Sequence, residues 1–154
     1  MSTLLLVDHL PIVRDGLRAV LERAAHQVLG EVDNGLDALE QCRLLHPQVV
    51  IIELLVPQLG GLDLLRRLRA SHQGIKLLVY SVQEASLYAA RSLQAGADAY
   101  VCKSEALGQL HSALQALSHG RSYFPREVAR QDLDGGGEDD LTHLSGRELT
   151  VVLM

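Results

Sequence analysis

Val49-Val50-Ile51-Ile52-Glu53 decides how this chain folds. Four β-branched residues in unbroken succession suit a strand, and a solid apolar run suits a strand covered on both faces. A carboxylate, Glu53, stands where the run ends. The same arrangement recurs outward from it. Leu4-Leu5-Leu6-Val7 ends at Asp8-His9, Leu77-Leu78-Val79-Tyr80 ends at Ser81, and Ala99-Tyr100-Val101-Cys102 ends at Lys103. With a further run at 27–33, strands are expected at 3–8, 27–33, 49–53, 75–81 and 97–102.

Helical spacing fills the intervals. Pro11 suits a first helical turn, and Val13, Leu17, Val20, Leu21 and Ala24 follow it three or four apart. Asn34 can cap a helix carrying Ala38, Leu39, Cys42 and Leu45, which Pro47 closes. Leu62, Leu65 and Leu68 mark a third helix. An alanine-rich fourth runs over about 85–95 and stops at Gly96. Ser104 is expected to cap a fifth, whose stripe is Leu107, Leu110, Leu114 and Leu117 and whose end is Gly120. Alternation of this kind implies an α/β fold, a doubly wound parallel sheet with right-handed crossovers. In such a sheet the carboxyl ends of the strands share one edge, where ligands bind. Asp8, His9, Glu53, Ser81 and Lys103 are thereby expected to converge.

The pattern changes after residue 120. Residues 121–133 hold the only phenylalanine, Phe124, and a short helix opened by Pro125. Residues 134–140 read Asp-Gly-Gly-Gly-Glu-Asp-Asp, a flexible acidic linker. Ser145 and Glu148 then form a capping box ahead of an apolar run in which the chain stops. The expectation is a main domain at 1–120, a linker at 121–140, and at 141–154 the start of a helical domain that is cut short.

Bulk properties exclude several function classes. The chain has 154 residues, a net charge of −5, 47% apolar residues and 3% aromatic residues. An acidic chain offers no electrostatic footprint for nucleic acid, so any DNA contact belongs to a C-terminal portion beyond residue 154. No apolar run approaches a membrane span, and no signal peptide opens the chain. The two cysteines, Cys42 and Cys102, fall in apolar positions and read as small hydrophobes of a reduced, cytoplasmic protein. A flavodoxin-like enzyme or cofactor binder is disfavoured, because Asp8-His9-Leu10-Pro11 lacks the glycines that cradle a phosphate and few aromatics could stack on a flavin. The chain is therefore not read as an enzyme.

The residues at the strand ends do suit the holding of a phosphoryl group. Its transfer to a carboxylate needs a nucleophilic acid at a strand end, acids that hold Mg²⁺, and a lysine and a hydroxyl to grip the product. At this point the chain resembles the receiver domain of bacterial two-component response regulators. The stretches that carry the resemblance are 5–17 (Leu5-Leu6-Val7-Asp8-His9 through Leu17), 47–57 with Gly61-Leu62 after it, and Gly96-Ala97-Asp98-Ala99-Tyr100-Val101-Cys102-Lys103. Arg14 and Gly16-Leu17 point to the NarL/FixJ branch. Leu144-Ser145-Gly146-Arg147-Glu148-Leu149 resembles the opening of a LuxR-type helix-turn-helix domain.

The resemblance implies a flavodoxin-like (βα)5 fold of strand order 2-1-3-4-5. It implies that Glu53 stands at the phosphoacceptor position, Asp8 and His9 at the acidic pair, Ser81 at the switch hydroxyl, Tyr100 at the switch aromatic and Lys103 at the phosphate-binding lysine. It also implies a histidine kinase as partner, a homodimer, and control of an attached DNA-binding domain. Two residues depart from the family pattern. His9 removes one charge and one hard oxygen from the acidic pair, so Mg²⁺ held by Asp8 and Glu53 is expected to be weak or lost. Glu53, one methylene longer than aspartate, carries its carboxylate towards the place a phosphoryl group would take. Control without phosphorylation is therefore expected, against the alternative of a Mg²⁺-dependent receiver phosphorylated weakly on Glu53.

Overall fold

The computed structural model describes residues 1–126 and 128, together with the backbone of 151–153. Among these residues strands and helices alternate in the expected order. They are β1 (Thr3–Val7), α1 (Pro11–Arg23), β2 (Gln27–Val32), α2 (Gly35–Leu45), β3 (Val49–Ile52), α3 (Gly61–Ser71), β4 (Lys76–Ser81), α4 (Ala85–Ala95), β5 (Ala99–Cys102), α5 (Leu107–Ser118), β6 (Ser122–Phe124) and β7 (Val151–Leu153). The strands form one parallel sheet in the order β2-β1-β3-β4-β5-β6-β7. The chain is thus α/β with the flavodoxin-like strand order 2-1-3-4-5, extended at one edge by β6 and β7.

Alternate residues of each strand serve opposite faces. Leu5, Val7, Val50, Ile52, Leu77, Val79 and Tyr100 pack with Ala38 and Cys42 of α2, Leu64, Leu65 and Leu68 of α3, and Ala89 and Leu93 of α4. Leu4, Leu6, Val49, Ile51, Leu78, Ala99 and Val101 pack with Leu17 and Leu21 of α1 and Leu110, Leu114 and Leu117 of α5. Two covered faces explain why the strands read as unbroken apolar runs. Each fully buried leucine contributes roughly 1.5–3 kcal/mol by leaving water, so the core outweighs any one polar contact at the sheet edge. Cys42 is wholly buried, and burial pushes its thiol up to about 12, so it behaves as the small hydrophobe expected.

The caps follow local chemistry. Pro11 opens α1, and the Asn34 side chain accepts from the Asp37 amide at 2.8 Å to cap α2. Gly96 ends α4 with φ +118°, and a Cβ there would lie 2.8 Å from the Arg69 Cβ, so glycine serves both the backbone and the packing.

Four expectations need correction. α5 is capped by Ala106 without a side-chain bond, because Ser104 lies in the preceding turn and donates instead to Cys102 Sγ at 3.1 Å. Leu107 is exposed, so the α5 stripe begins at Leu110. Residues 122–124 form a strand, where only a short helix opened by Pro125 was expected within 121–133, because Ser122, Tyr123 and Phe124 lie along the open edge of β5. The linker at 134–140 and the capping box at Ser145 lie outside the described residues. Val151–Leu153, expected to continue a helix from that box, pairs with β6 as a strand, which β-branched Val151 and Val152 favour.

Candidate functional site

Each strand end is pinned before its side chain acts. The Asp8 amide donates to the Val32 carbonyl at 3.1 Å, that of Glu53 to Val7 at 2.9 Å, and that of Lys103 to Ser81 at 2.7 Å. The parallel ladder thus runs one residue past β1, β3 and β5, and it aligns the polar residues on one edge. The structure brings Asp8, Glu53, Ser81 and Lys103 together there.

Glu53 is the centre of the pocket. It is 2% exposed, and each carboxylate oxygen has two donors. Oε1 accepts from Lys103 Nζ at 3.0 Å and from the Val82 amide at 3.1 Å. Oε2 accepts from Ser81 Oγ and, at 3.1 Å, from the Leu55 amide. An ionised carboxylate has about four lone-pair sites, so Glu53 is saturated. Burial pushes its carboxyl up. The bonds from Ser81, Lys103, Leu55 and Val82 outweigh burial and hold it below the usual carboxylate value.

Lys103 also meets Asp8 Oδ2 at 2.5 Å, and the Leu10 amide closes on Asp8 Oδ1 at 2.9 Å. Burial lowers the lysine, but its bonds to Asp8 and Glu53 prevail and raise it above its ordinary value. Its ammonium lies 5.9 Å from the Tyr80 ring centroid, within reach of a cation–π attraction. Two carboxylates around one ammonium leave the pocket one negative charge in excess.

The hydrogen bonds lead away from the pocket in one direction. Ser81 Oγ, which donates to Glu53, accepts from the Gln83 amide at 3.2 Å. The Gln83 carbonyl accepts from the Tyr100 hydroxyl at 2.6 Å. Tyr100 is wholly buried, and burial pushes its phenol up, so it stays a donor at any ordinary pH.

His9 stands apart. It is exposed and makes no side-chain hydrogen bond among the described residues. The residues present fall short of a Mg²⁺ site. That ion wants octahedral oxygens and keeps one or two carboxylates with its waters. Both oxygens of Glu53 are saturated, those of Asp8 face Lys103 and Leu10, and imidazole is a poor substitute for the missing oxygen. Among the described residues no group of three or more His, Cys, Asp or Glu side chains is placed to hold a metal.

Two contributors escape a reading of residue types. The Leu55 and Val82 amides are backbone donors, which every residue but proline has, so nothing in their side chains marks them. Arg14 carries a legible signal, a cation one turn into α1. It donates to the Asp8 carbonyl at 2.7 Å and pairs with Glu31 of β2 at 3.3 Å, fastening the loop that carries Asp8.

The chain is thus a parallel α/β domain that gathers two carboxylates, a hydroxyl and a lysine at the carboxyl edge of its sheet, the edge at which such folds bind ligands. Comparison with known proteins agrees. The family model of the response regulator receiver domain matches residues 4–115. BvgA of Bordetella pertussis, named a transcription regulator of virulence factors, is 35% identical over 98% of this chain and 74% of its own length. The response regulator GacA of Pseudomonas viridiflava is 32% identical over 100% of this chain and 75% of its own. A two-component response regulator of the LuxR family from Aurantimonas sp. SI85-9A1 superposes with a TM-score of 0.79 at 30% identity, over 84% of this chain and 94% of that one. The chain belongs to the response regulator receiver family, among regulators of the NarL/FixJ, LuxR type.

Proposed function

We propose that this receiver controls an attached LuxR-type DNA-binding domain, opening at about residue 141, without needing phosphorylation. One observation carries the reading. The lysine, hydroxyl and two backbone amides that would grip phosphoryl oxygens already grip the carboxylate of Glu53. A saturated, buried carboxylate is a poor nucleophile, since attack must first break hydrogen bonds that hold its charge. The side chain therefore acts as a resident ligand of its own pocket. Ser81 is drawn to Glu53 and Tyr100 is buried, so the two switch positions rest in one state, suited to a homodimer that needs no phosphodonor. Mg²⁺ has no role in this state.

The test is intact mass and oligomer size after incubation with Mg²⁺ and acetyl phosphate. Wild type is expected to gain no mass and to be dimeric already. Glu53→Asp, which withdraws the carboxylate by one methylene and frees its donors, is expected to gain one phosphoryl group. A phosphorylated wild type would instead make this a conventional receiver, served by a histidine kinase and phosphorylated on Glu53.

A further inference from the structure

β6 lies beside the residue to which the pocket's hydrogen bonds lead. β5 and β6 pair in parallel at Ala99 and Tyr123, so Tyr100 stands opposite Phe124 one step further on. The faces agree. Ala99 and Tyr123 belong to the cluster under α1 and α5, whereas Tyr100 and Phe124 belong to the cluster under α2, α3 and α4. Tyr100 and Phe124 are both wholly buried, and Val128 of the same cluster is 1% exposed.

The rest of the attachment is light. β5 meets β6 at one paired position, against four between β4 and β5. A cavity of about 330 Å³ lies against Pro125 and Arg126, with Glu84, Cys102, Ser104 and Gln109 on its other walls. The hold on this segment therefore falls to Phe124 and Val128 on one face, to the Tyr123 ring packed under α5 on the other, to the Arg121 and Tyr123 amides bonded to Ala116 O at 2.9 Å and Asp98 O at 3.0 Å, and to the Tyr123 hydroxyl on Gln109. On its outer edge β6 pairs with β7 at three positions, 122–124 with 151–153. β6 thus has more ladder pairing to β7 than to β5.

We infer that β6 is the transmission element of this receiver: the seating of Phe124 beside Tyr100 couples the Glu53 pocket to the chain beyond residue 124. With Glu53 holding Ser81, Gln83 fixes the Tyr100 hydroxyl, and the ring stays where Phe124 packs against it. Removing the carboxylate releases Ser81, loosens Tyr100 and undercuts β6. The inference rests on Glu53 holding the pocket, as proposed above, and not on whether Glu53 refuses a phosphoryl group.

Amide hydrogen exchange of the full chain, resolved at Tyr123, Val82 and Ile51, tests it. Glu53→Ala is expected to speed exchange at Tyr123 about tenfold while Ile51 in the central sheet is unchanged, a typical size for coupling between sites. Coupling is reciprocal, so Phe124→Leu is expected to speed exchange at Val82 by a similar factor. If Glu53→Ala also loosens Ile51, Glu53→Gln, which keeps the volume, decides the matter by the same readout. Tyr123 exchange within about twofold of wild type, with Val82 exchange raised, overturns the inference. A wild-type mass gain with phosphodonor would defeat the proposed function and leave this result standing.

Discussion

At one end of β5 Asp98 meets Arg69; at the other Lys103 meets Asp8 and Glu53. Both are ion clusters at the margin of the same core, and they are built for different ends. Arg69 spends its five N–H donors on Gly96 O twice, Gln73 O, Ile75 O and Asp98 Oδ2, while that carboxylate also accepts the Leu77 amide at 2.9 Å. Most of its partners are backbone carbonyls of turns between α3, β4 and β5. Its anionic partner is Asp98. Lys103 spends its bonds on two side chains, Asp8 and Glu53, and two carboxylates around one ammonium leave a negative charge in excess. A cation wired mostly to backbone fastens a fold, whereas one wired to side chains can respond to what enters its pocket.

Substitutions test this contrast, and the largest loss of stability is expected from the fastener. Arg69→Ala removes five hydrogen bonds, the ion pair with Asp98 among them, and should cost about 3 kcal/mol, the lower end for a broken buried pair because Arg69 is 20% exposed. Urea denaturation measures it, and Glu53 should stay depressed in the folded variant. Equal damage to both ends of β5 would break the contrast.

Lys103→Met should cost about 2 kcal/mol near neutral pH, leaving Asp8 and Glu53 to face each other without a cation. Its pH dependence is the sharper readout. In wild type, Glu53 is lowered below 4.5 on folding, so its contribution is present above 4.5 and is lost as pH falls through the folded value. Lys103 is raised above 10.5, so its contribution is present below 10.5 and is lost as pH rises through the folded value. Stability from this pair is therefore level between the two. In Lys103→Met the Glu53 carboxyl rises instead, and the variant should gain stability on mild acidification where wild type does not. Denaturation curves across the acid range distinguish the two.

Ser81→Ala removes one of four donors to Glu53 and should cost about 1 kcal/mol. A carboxyl-carbon NMR titration should show the Glu53 value moving up. The smallest effect belongs to His9→Ala, within about 0.5 kcal/mol, because the side chain is exposed and outside the network. A larger shift in the Glu53 titration with His9→Ala than with Ser81→Ala would place His9 in the pocket after all.

Much of this was legible in the sequence, for identifiable reasons. Val49–Ile52 could be read as a central strand because it is solid and β-branched, and Asn34 and Gly96 because caps depend on one residue's own chemistry. The convergence of Asp8, Glu53, Ser81 and Lys103 follows from parallel topology alone. β6 was not legible. Three residues show no period, and Ser122–Phe124 are a strand only because the edge of β5 is there to pair with. Ser104 looked like a cap from its type, but the true cap position, Ala106, is set by where the turn after β5 ends. The saturation of Glu53 depends on two backbone amides and on the reach of Lys103 across three strands, neither of which residue types encode.

The chain has two lysines, Lys76 and Lys103, and they differ in their standing towards reagents. An amine attacks an acylating agent only when it is deprotonated and can be reached. Lys103 is held protonated by two carboxylates and has a side chain only 13% exposed, so it should be spared while the half-buried Lys76 and the chain's amino terminus are modified. Limited acylation followed by peptide mapping therefore becomes a one-residue footprint. Acylation of Lys103 would mark the molecules whose pocket has opened, in an untagged protein and without altering a residue.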